Sequence, residues 1–211
     1  MQYIALLSAL VLLVVGPTSS YASGGNLEKG KQYFSVCQSC HGKNAEGNPE
    51  RGAPRLAGQH DWYLIRQLQN FRADIRGAHE KDTYGGSMNP MAKMLPDEQA
   101  LKDVVAYITT LKAEPSQRTE KTGIPAKGKE IFAICQSCHG KEGRGNHVPG
   151  APRLAGQHDW YLIRQLKNFK ADIRGAHKND KYGQSMRSMA FMALPDEQAI
   201  KDVVAYIKTL E

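Results

Sequence analysis

Apolar residues recur every three or four positions in three segments of the chain's first half, which is the spacing of an amphipathic helix. The first segment, Leu27 to Val36, follows Asn26, a residue type favoured at helix N-caps. The second begins at Asp61, which we expect to cap it, and ends before Gly77; the third spans 97–111. The apolar stripes of the second and third consist of Leu64, Leu68, Phe71 and Ile75, and of Leu101, Val104, Val105, Ile108 and Leu111. No segment alternates apolar and polar residues as a strand would, so the predicted fold class is all-α.

The second half of the chain repeats the first. Residues 37–84 and 135–182 align without a gap, and roughly three quarters of the positions are identical. The second copy then gains one residue before its last helix, and its first helix is predicted over 126–134. Residues 112–123 contain almost no apolar side chain, which predicts an extended, solvated linker. We therefore predict two lobes of three helices each, over 23–111 and 124–211.

The first 23 residues form a separate apolar segment without a charged side chain. Its run from Ile4 to Val15 is too short to span a bilayer, and small residues at Ser20 and Ala22 suit cleavage after Ala22. We predict a signal peptide over 1–22 and export to the periplasm. No Lys or Arg precedes the run, which leaves a retained N-terminal anchor as the alternative.

The formal net charge of +7 lies in the part that follows this segment. A basic surface favours acidic docking partners and faster encounter at low salt. Nucleic acid is not predicted as a partner, because the 28 Lys and Arg residues are scattered among 21 acidic ones without a basic run.

All four cysteines of the chain belong to two copies of Cys-x-x-Cys-His, at 37–41 and 135–139. Two thiols three positions apart can add to the two vinyl groups of one haem, and the adjacent imidazole then meets the iron. Two disulfides in an oxidising compartment are the alternative, but they would leave the histidine after each pair unexplained. The sequence therefore predicts two covalently bound haem c groups, held by Cys37, Cys40, Cys135 and Cys138, with His41 and His139 as iron ligands.

The sixth iron ligand decides between an electron carrier and a catalyst. Each lobe offers three methionines close to its last helix and two histidines. The candidates are Met88, Met91, Met94, His60 and His79 in the first lobe, and Met186, Met189, Met192, His158 and His177 in the second. One methionine in each lobe is expected to be the ligand, because three crowded methionines are too local for core filling alone.

The order of these motifs resembles class I cytochrome c: Cys-x-x-Cys-His, then Pro-x-Leu-x-Gly, then a methionine before an Asp-led final helix. Two such lobes in tandem resemble the cytochrome c4 family of dihaem electron carriers, over essentially the whole mature chain. The resemblance implies Met88 and Met186 as axial ligands; the extra residue in the second lobe leaves Met189 as the alternative there. It also implies that the carbonyls of Pro54 and Pro152 accept the Nδ1 hydrogens of the ligating histidines.

The resemblance further implies how the helices and lobes pack. Gly30 and Phe34 should meet Tyr107 where the first and last helices cross, and Gly128, Phe132 and Tyr206 should repeat this crossing. Asp97 and Asp196 should cap the last helices, because prolines stand where the family often has Ser or Thr. The lobes should pair about a pseudo-twofold axis with haem propionates facing each other. Arg55, Trp62, Arg66 and their repeats are candidate propionate donors, with a solvated helix face as the alternative for the arginines; no role is assigned to His147.

The function that these features predict is a periplasmic electron carrier without a catalytic residue or small-molecule substrate. Its expected partners are a membrane quinol-cytochrome c oxidoreductase and a terminal oxidase or reductase, with membrane association only through them. The alternatives are a cytochrome subunit of a larger oxidase complex and a dihaem peroxidase-like enzyme. The enzyme would need one lobe to open its iron, which two nearly identical lobes disfavour.

Overall fold

The computed structural model describes residues 24–114 and 116–210, and in these ranges the chain forms eight α-helices, four in each half. The helices are α1 (Leu27–His41), α2 (Asp61–Arg72), α3 (Thr83–Lys93), α4 (Glu98–Thr110), α5 (Pro125–His139), α6 (Asp159–Lys170), α7 (Lys181–Ala193) and α8 (Glu197–Ile207). The described residues contain no strand, only two isolated bridges in equivalent loops, Asn48 with Ala53 and Asn146 with Ala151. The predicted all-α class is confirmed. The predicted signal peptide lies outside the described residues.

The first and last helices of each lobe cross at a glycine. A Cβ on Gly30 would collide with the backbone carbonyl of Asp103 in α4, so only glycine permits this approach. One turn further along α1, the rings of Phe34 and Tyr107 pack with centroids 5.6 Å apart. The second lobe repeats the crossing with Gly128 in α5 against Asp202, and with Phe132 against Tyr206 at 5.3 Å. The predicted helix crossing is confirmed in both lobes.

The caps of the helices agree with the sequence at three positions and differ at one. Asn26 accepts from Lys29 N at 3.0 Å, and Asp97 and Asp196 accept from the third helical amide of α4 and α8. Asp61 does not cap α2: the N-cap is His60, which makes no side-chain cap bond, and Asp61 is the first helical residue. Its carboxylate accepts from the adjacent Trp62 N at 2.7 Å instead.

The prediction of three helices per lobe is wrong, because α3 and α7 form a fourth in each. In the first lobe two adjacent glycines and Pro90 conceal the helix, since these residues are poor helix formers. A buried carboxylate starts each one: Asp82 accepts from Gly85 N at 3.1 Å and Asp180 from Gly183 N at 2.9 Å. These helices pack against α2 and α6 and carry the candidate methionines, so they position the functional site.

The segment between the lobes keeps most of its described residues exposed, as predicted, but it is anchored at several points. Arg55 of the first lobe donates to the carbonyls of Ala113 and Glu114, at 2.6 and 2.8 Å. Further along, Asp159 at the start of α6 accepts from the backbone of Thr119 and, at 2.6 Å, from Glu120 N. The segment is therefore bound to both lobes, which restricts how they can lie relative to each other.

Candidate functional site

The Cys-x-x-Cys-His motif forms the last turn of α1, and its repeat forms the last turn of α5. Helical spacing places Cys37 and Cys40 on the same face, where both are half-buried. Burial raises the pKa of the Cys37 thiol, and the Sγ donates to Tyr33 O at 3.7 Å. The pKa of Cys135 is raised for the same reason, and none of the four cysteines forms a disulfide. Two thiols on one helical face fit attachment to a single porphyrin.

His41 is held in one orientation at the end of α1. Its side chain is only 5% exposed, and Nδ1 lies 2.9 Å from Pro54 O. Because a carbonyl can only accept, Nδ1 carries the hydrogen and Nε2 keeps its lone pair for a metal. Burial lowers the pKa of the imidazole more than the Pro54 hydrogen bond raises it, so His41 is neutral at pH 7. His139 and Pro152 O repeat the arrangement at 2.9 Å.

A short loop fixes the proline that orients the histidine. Ala45 O accepts from Leu56 N at 2.9 Å and from Ala57 N at 3.1 Å, and Gly47 N donates to His41 O at 2.8 Å. Ala45 is fully buried with a φ of 55°, a left-handed conformation in which alanine is strained. The second lobe has Gly143 at this position, with a φ of 61° and the same hydrogen bonds. The loop therefore keeps the proline carbonyl against the imidazole in both lobes.

The three methionines in α3 and at its C-cap differ in exposure. Met88 and Met91 are half-buried and lie one helical turn apart, whereas Met94 is 62% exposed. In α7, Met186 and Met189 are half-buried and Met192 is 72% exposed. Met186 packs against the core cluster of its lobe, as Leu166 and Ile163 also do. This burial favours the first two methionines of each helix over the third as candidate ligands.

The candidate histidines are engaged elsewhere. His60 Nε2 lies 2.7 Å from Arg144 O, and His158 Nε2 lies 2.7 Å from Glu46 O, so each reaches the opposite lobe. Both rings also stack on a tryptophan of their own lobe, with centroids 5.2 Å apart. His79 and His177 accept from backbone amides two residues away. These contacts disfavour all four as iron ligands.

The two lobes pair through contacts that occur twice with the lobes exchanged. Gln59 Nε2 donates to Arg153 O at 2.9 Å while Gln59 Oε1 accepts from Arg153 N at 3.0 Å. Gln157 makes the same two bonds with Arg55, at 2.9 and 3.1 Å. Reciprocal contacts of this kind define an isologous interface, so the predicted pseudo-twofold pairing is confirmed.

The arginines predicted as propionate donors or as a solvated face belong to this interface. Arg66 NH2 donates to Gly150 O at 2.6 Å and lies over the Tyr182 ring at 4.1 Å. Arg164 repeats both contacts with Gly52 O, at 2.5 Å, and with the Tyr84 ring, at 4.2 Å. The solvated helix face is therefore wrong for these arginines. His147, which received no role, lies edge-on to Trp62 of the opposite lobe at 5.1 Å.

Among the described residues no helix has the length and apolar character needed to cross a bilayer.

The sequence of the chain matches the Cytochrome c family model twice, over residues 27–112 and 125–211. A cytochrome c4 of Stutzerimonas stutzeri is 34% identical over 95% of this chain and 96% of its own length. The crystal structure of reduced recombinant cytochrome c4 from Pseudomonas stutzeri superposes with a TM-score of 0.70 and 30% identity, over 89% of this chain and all of that one. The oxidase subunit FixP of Sinorhizobium medicae, which is described as cbb3-type, is 33% identical over 70% of this chain and 52% of its own length.

The chain therefore belongs to the cytochrome c family, as a dihaem member of the cytochrome c4 type. Cys37 and Cys40 hold one haem c, and Cys135 and Cys138 hold the other. The residues present fit this group, because each site combines two thiols on one helical face with a buried, neutral imidazole. The protein is therefore a dihaem electron carrier.

Proposed function

We propose that the protein is a periplasmic carrier that receives electrons from a quinol-oxidising membrane complex and delivers them to a terminal oxidase or reductase. The haem iron supplies the one-electron chemistry. The observation that carries the proposal is the duplicated, buried imidazole whose Nδ1 is fixed by a proline carbonyl, at 2.9 Å in both lobes. A ligand held this firmly keeps its geometry between oxidation states, which favours rapid electron transfer.

In this proposal His41 and Met88 are the axial ligands in the first lobe, and His139 and Met186 are those in the second. Pro54 and Pro152 orient the histidines. The half-buried positions of Met88 on α3 and of Met186 on α7 support the assignment. A thioether opposite an imidazole raises the reduction potential relative to two imidazoles, which suits electrons taken from a quinol pool.

A carrier is favoured over an enzyme because the two sites match residue by residue. Each lobe has the same thiols, the same proline-bound histidine and a methionine on the equivalent helix. A dihaem peroxidase-like enzyme needs its two irons to differ, one open to substrate and one closed. The chain offers no such difference in the residues that hold the two haems, so we propose no catalytic residue and no small-molecule substrate.

The partners follow from charge and from the relatives. The net charge of +7 favours acidic docking surfaces on redox proteins rather than nucleic acid, since no basic run is present. We propose a quinol-cytochrome c oxidoreductase as the donor, and membrane association only through such partners. The similarity to the oxidase subunit FixP makes residence within a larger oxidase complex the alternative. Export would require the segment 1–22 to act as a signal peptide.

The experiment that tests the proposal is a reconstituted chain of electron transfer. Purified holoprotein is added to membranes that contain a quinol-oxidising complex, and a terminal oxidase is added afterwards. We expect both haems to become reduced and then reoxidised repeatedly, with an initial rate that falls as salt rises. The matched control is the double variant Cys135→Ala and Cys138→Ala, which should carry half the electrons per molecule. Hydrogen peroxide consumed without the oxidase would instead support the enzyme.

A further inference from the structure

One arginine follows the second helix of each lobe, Arg76 after α2 and Arg174 after α6. Both reach across the interface and meet in its interior. Arg76 donates to Tyr161 Oη at 3.0 Å and to Gln165 Oε1 at 3.2 Å, both in the opposite lobe. It also donates to Gln67 Oε1 of its own lobe at 2.6 Å. The side chain is 9% exposed and lies over the ring of Phe71 at 4.6 Å. Arg76 is therefore a buried cation shared between the lobes.

Arg174 makes the reciprocal contacts. It donates to Tyr63 Oη at 3.1 Å and to Gln67 Oε1 at 3.4 Å in the first lobe, and to Gln165 Oε1 at 2.6 Å in its own. Each glutamine oxygen thus accepts from both arginines. Because the two guanidinium groups share their acceptors, two like charges lie side by side in the interface. Such a pair is unfavourable unless negative charge lies close by.

The nearby acidic residues compensate only part of this charge. We call Arg66, Arg76, Arg164 and Arg174, together with Asp82 and Asp180, the central cluster, since these residues interact electrostatically with one another. Four arginines and two aspartates leave an excess of two positive charges. Burial alone would raise the pKa of the Tyr63 hydroxyl, but the charges of Arg174 and Arg76 outweigh it and lower this pKa.

The central cluster also has donors to spare. The Nε atoms of its four arginines are buried and have no hydrogen-bond partner among the described residues. A buried N–H group without an acceptor is unfavourable, so these atoms suit an anionic acceptor at the interface. A haem c brings two propionate carboxylates, and the residues of the cluster fit that chemistry in sign and in hydrogen-bonding capacity.

We propose that the positive charges of Arg76 and Arg174 raise the reduction potentials of both haems. Each arginine acts on the haem of the opposite lobe as well as on the haem of its own lobe. The inference rests on the proposed function as a dihaem electron carrier. A buried positive charge stabilises the state that holds one more electron, and a low dielectric strengthens this interaction at a given distance. The contacts of Arg76 in the opposite lobe carry the effect across the interface.

The test is a redox titration of the full-length holoprotein, with the two haems resolved as separate steps. For Arg76→Gln we expect the ratio of reduced to oxidised haem at a fixed applied potential to fall about tenfold at both haems, which is about 59 mV for one electron. Arg76→Lys should restore most of the loss because it keeps the charge. The matched control is Arg72→Gln, which removes the same charge from the outer ion pair with Glu98 and should leave both potentials nearly unchanged.

Three outcomes would overturn the inference. A shift confined to the haem of the first lobe would exclude action across the interface. Unchanged potentials in Arg76→Gln, with only a lower unfolding temperature, would make the arginine purely structural. An equal shift in Arg72→Gln would reduce the effect to general surface charge. If Arg76→Gln does not accumulate, Arg66→Gln removes a half-buried charge of the same cluster and must lower both potentials by a smaller factor.

These outcomes are separable from failure of the proposed function. If the arginines do not affect the potentials, the protein still shows two haems with both axial ligands in the absorption spectrum and delivers electrons unchanged in the reconstituted chain. Failure of the carrier function would instead appear in the parent protein, as a lack of exchange with the membrane complexes, whatever the potentials of the variants.

Discussion

Gln59 of the first lobe forms a two-bond pair with the backbone of Arg153 in the second, with Nε2 to O at 2.9 Å and N to Oε1 at 3.0 Å. An amide side chain here completes a backbone that would otherwise meet the other lobe with an unpaired donor and acceptor. Gln157 does the same for Arg55. Pro54 precedes Arg55 and Pro152 precedes Arg153, and the carbonyls of these prolines orient the two histidines. The lobe interface and the haem sites therefore share one short segment in each lobe.

Replacing Gln157 by Ala should destabilise the paired lobes more than replacing Gln59. Both changes leave a backbone donor and acceptor unpaired, but Gln157 is buried whereas Gln59 is half-buried and admits water. Each buried unpaired group costs about 1–3 kcal/mol. Denaturant unfolding of the holoprotein measures the difference. Gln69→Ala, at an exposed hydrogen bond with Glu98, is the control and should change the free energy of unfolding little. Equal losses at both interface glutamines would contradict the role of burial.

Asp159 should anchor the segment between the lobes, and its first-lobe counterpart Asp61 should not. Both aspartates accept from the amide of the next residue, but Asp159 is 1% exposed and also accepts from Thr119 Oγ1 at 2.7 Å and from the backbone amides of Thr119 and Glu120 in the segment. We expect Asp159→Asn to increase proteolytic cleavage within 116–123, and Asp61→Asn to have little effect. Similar cleavage in the two variants would exclude a specific anchor.

The same carboxylate should make the stability depend on pH. Burial raises the pKa of Asp159, but the bonds from Glu120 and Thr119 outweigh it, so the folded pKa lies below the ordinary value. A lowered folded pKa means that the stabilisation is complete above the unfolded pKa of about 3.9 and is lost as pH falls through the folded pKa. Unfolding measured from pH 6 down to pH 3 should therefore show a steeper loss in the parent than in Asp159→Asn.

The sequence predicted the helices that have a regular apolar stripe and missed α3 and α7, which lack one. The pattern that ends at Leu111 gave α4 within one residue, because its apolar face packs directly into the core. The helix α3 was missed because of its glycines and Pro90, although α7 lacks that proline and keeps one glycine. The stronger pattern in α7 was the available signal, since repeated segments adopt the same fold.

The haem-binding residues were predictable because their chemistry is local, whereas the individual contacts of the lobe interface were not. Cysteines and histidine lie within five consecutive positions, so spacing alone shows their purpose. Arg76 and Tyr161 are 85 positions apart, and no local pattern pairs them. The repeat of polar side chains in the second helix of each lobe was the one clue, because the two copies of an isologous interface keep the same side chains. The contact of His147 had no such clue, since Pro49 occupies its position in the first lobe.

Mass spectrometry should find two covalent haems per chain and a mature start near Ser23. Each Cys-x-x-Cys-His turn presents two free thiols on one face, so each should form two thioether bonds. The variant with Cys135→Ala and Cys138→Ala should retain one haem and a folded first lobe, because α1 to α4 have their own core. Retention of residues 1–22 in most molecules would contradict the signal peptide and favour an anchor.

Replacing single methionines should identify the sixth ligands. Met88→Ala should open the first iron to carbon monoxide or cyanide and leave the second closed, and Met186→Ala should do the reverse. The weak absorption band near the red end of the oxidised spectrum should fall by about half in each variant, because it reports iron–methionine bonds at two sites. Met94→Ala, at the exposed C-cap of α3, is the control. If Met189→Ala opens the second iron and Met186→Ala does not, the extra residue has shifted the register of the second lobe.

The two haems should exchange electrons faster than either meets an external partner. The pairing of the lobes is held by reciprocal bonds at Gln59 and Gln157 and by the anchored linker, so we expect one fixed distance between the two haem sites. A redox titration should resolve two nearby steps, because the lobes differ at Lys93 and Phe191 and by the inserted residue. One-electron reduction by a short pulse should be followed by equilibration at a rate that does not depend on protein concentration. The double variant Gln59→Ala and Gln157→Ala should slow this step, because it loosens the pairing while it leaves both haem sites in place. Equilibration that speeds up with concentration would show that electrons pass between molecules, and the two lobes would then act independently.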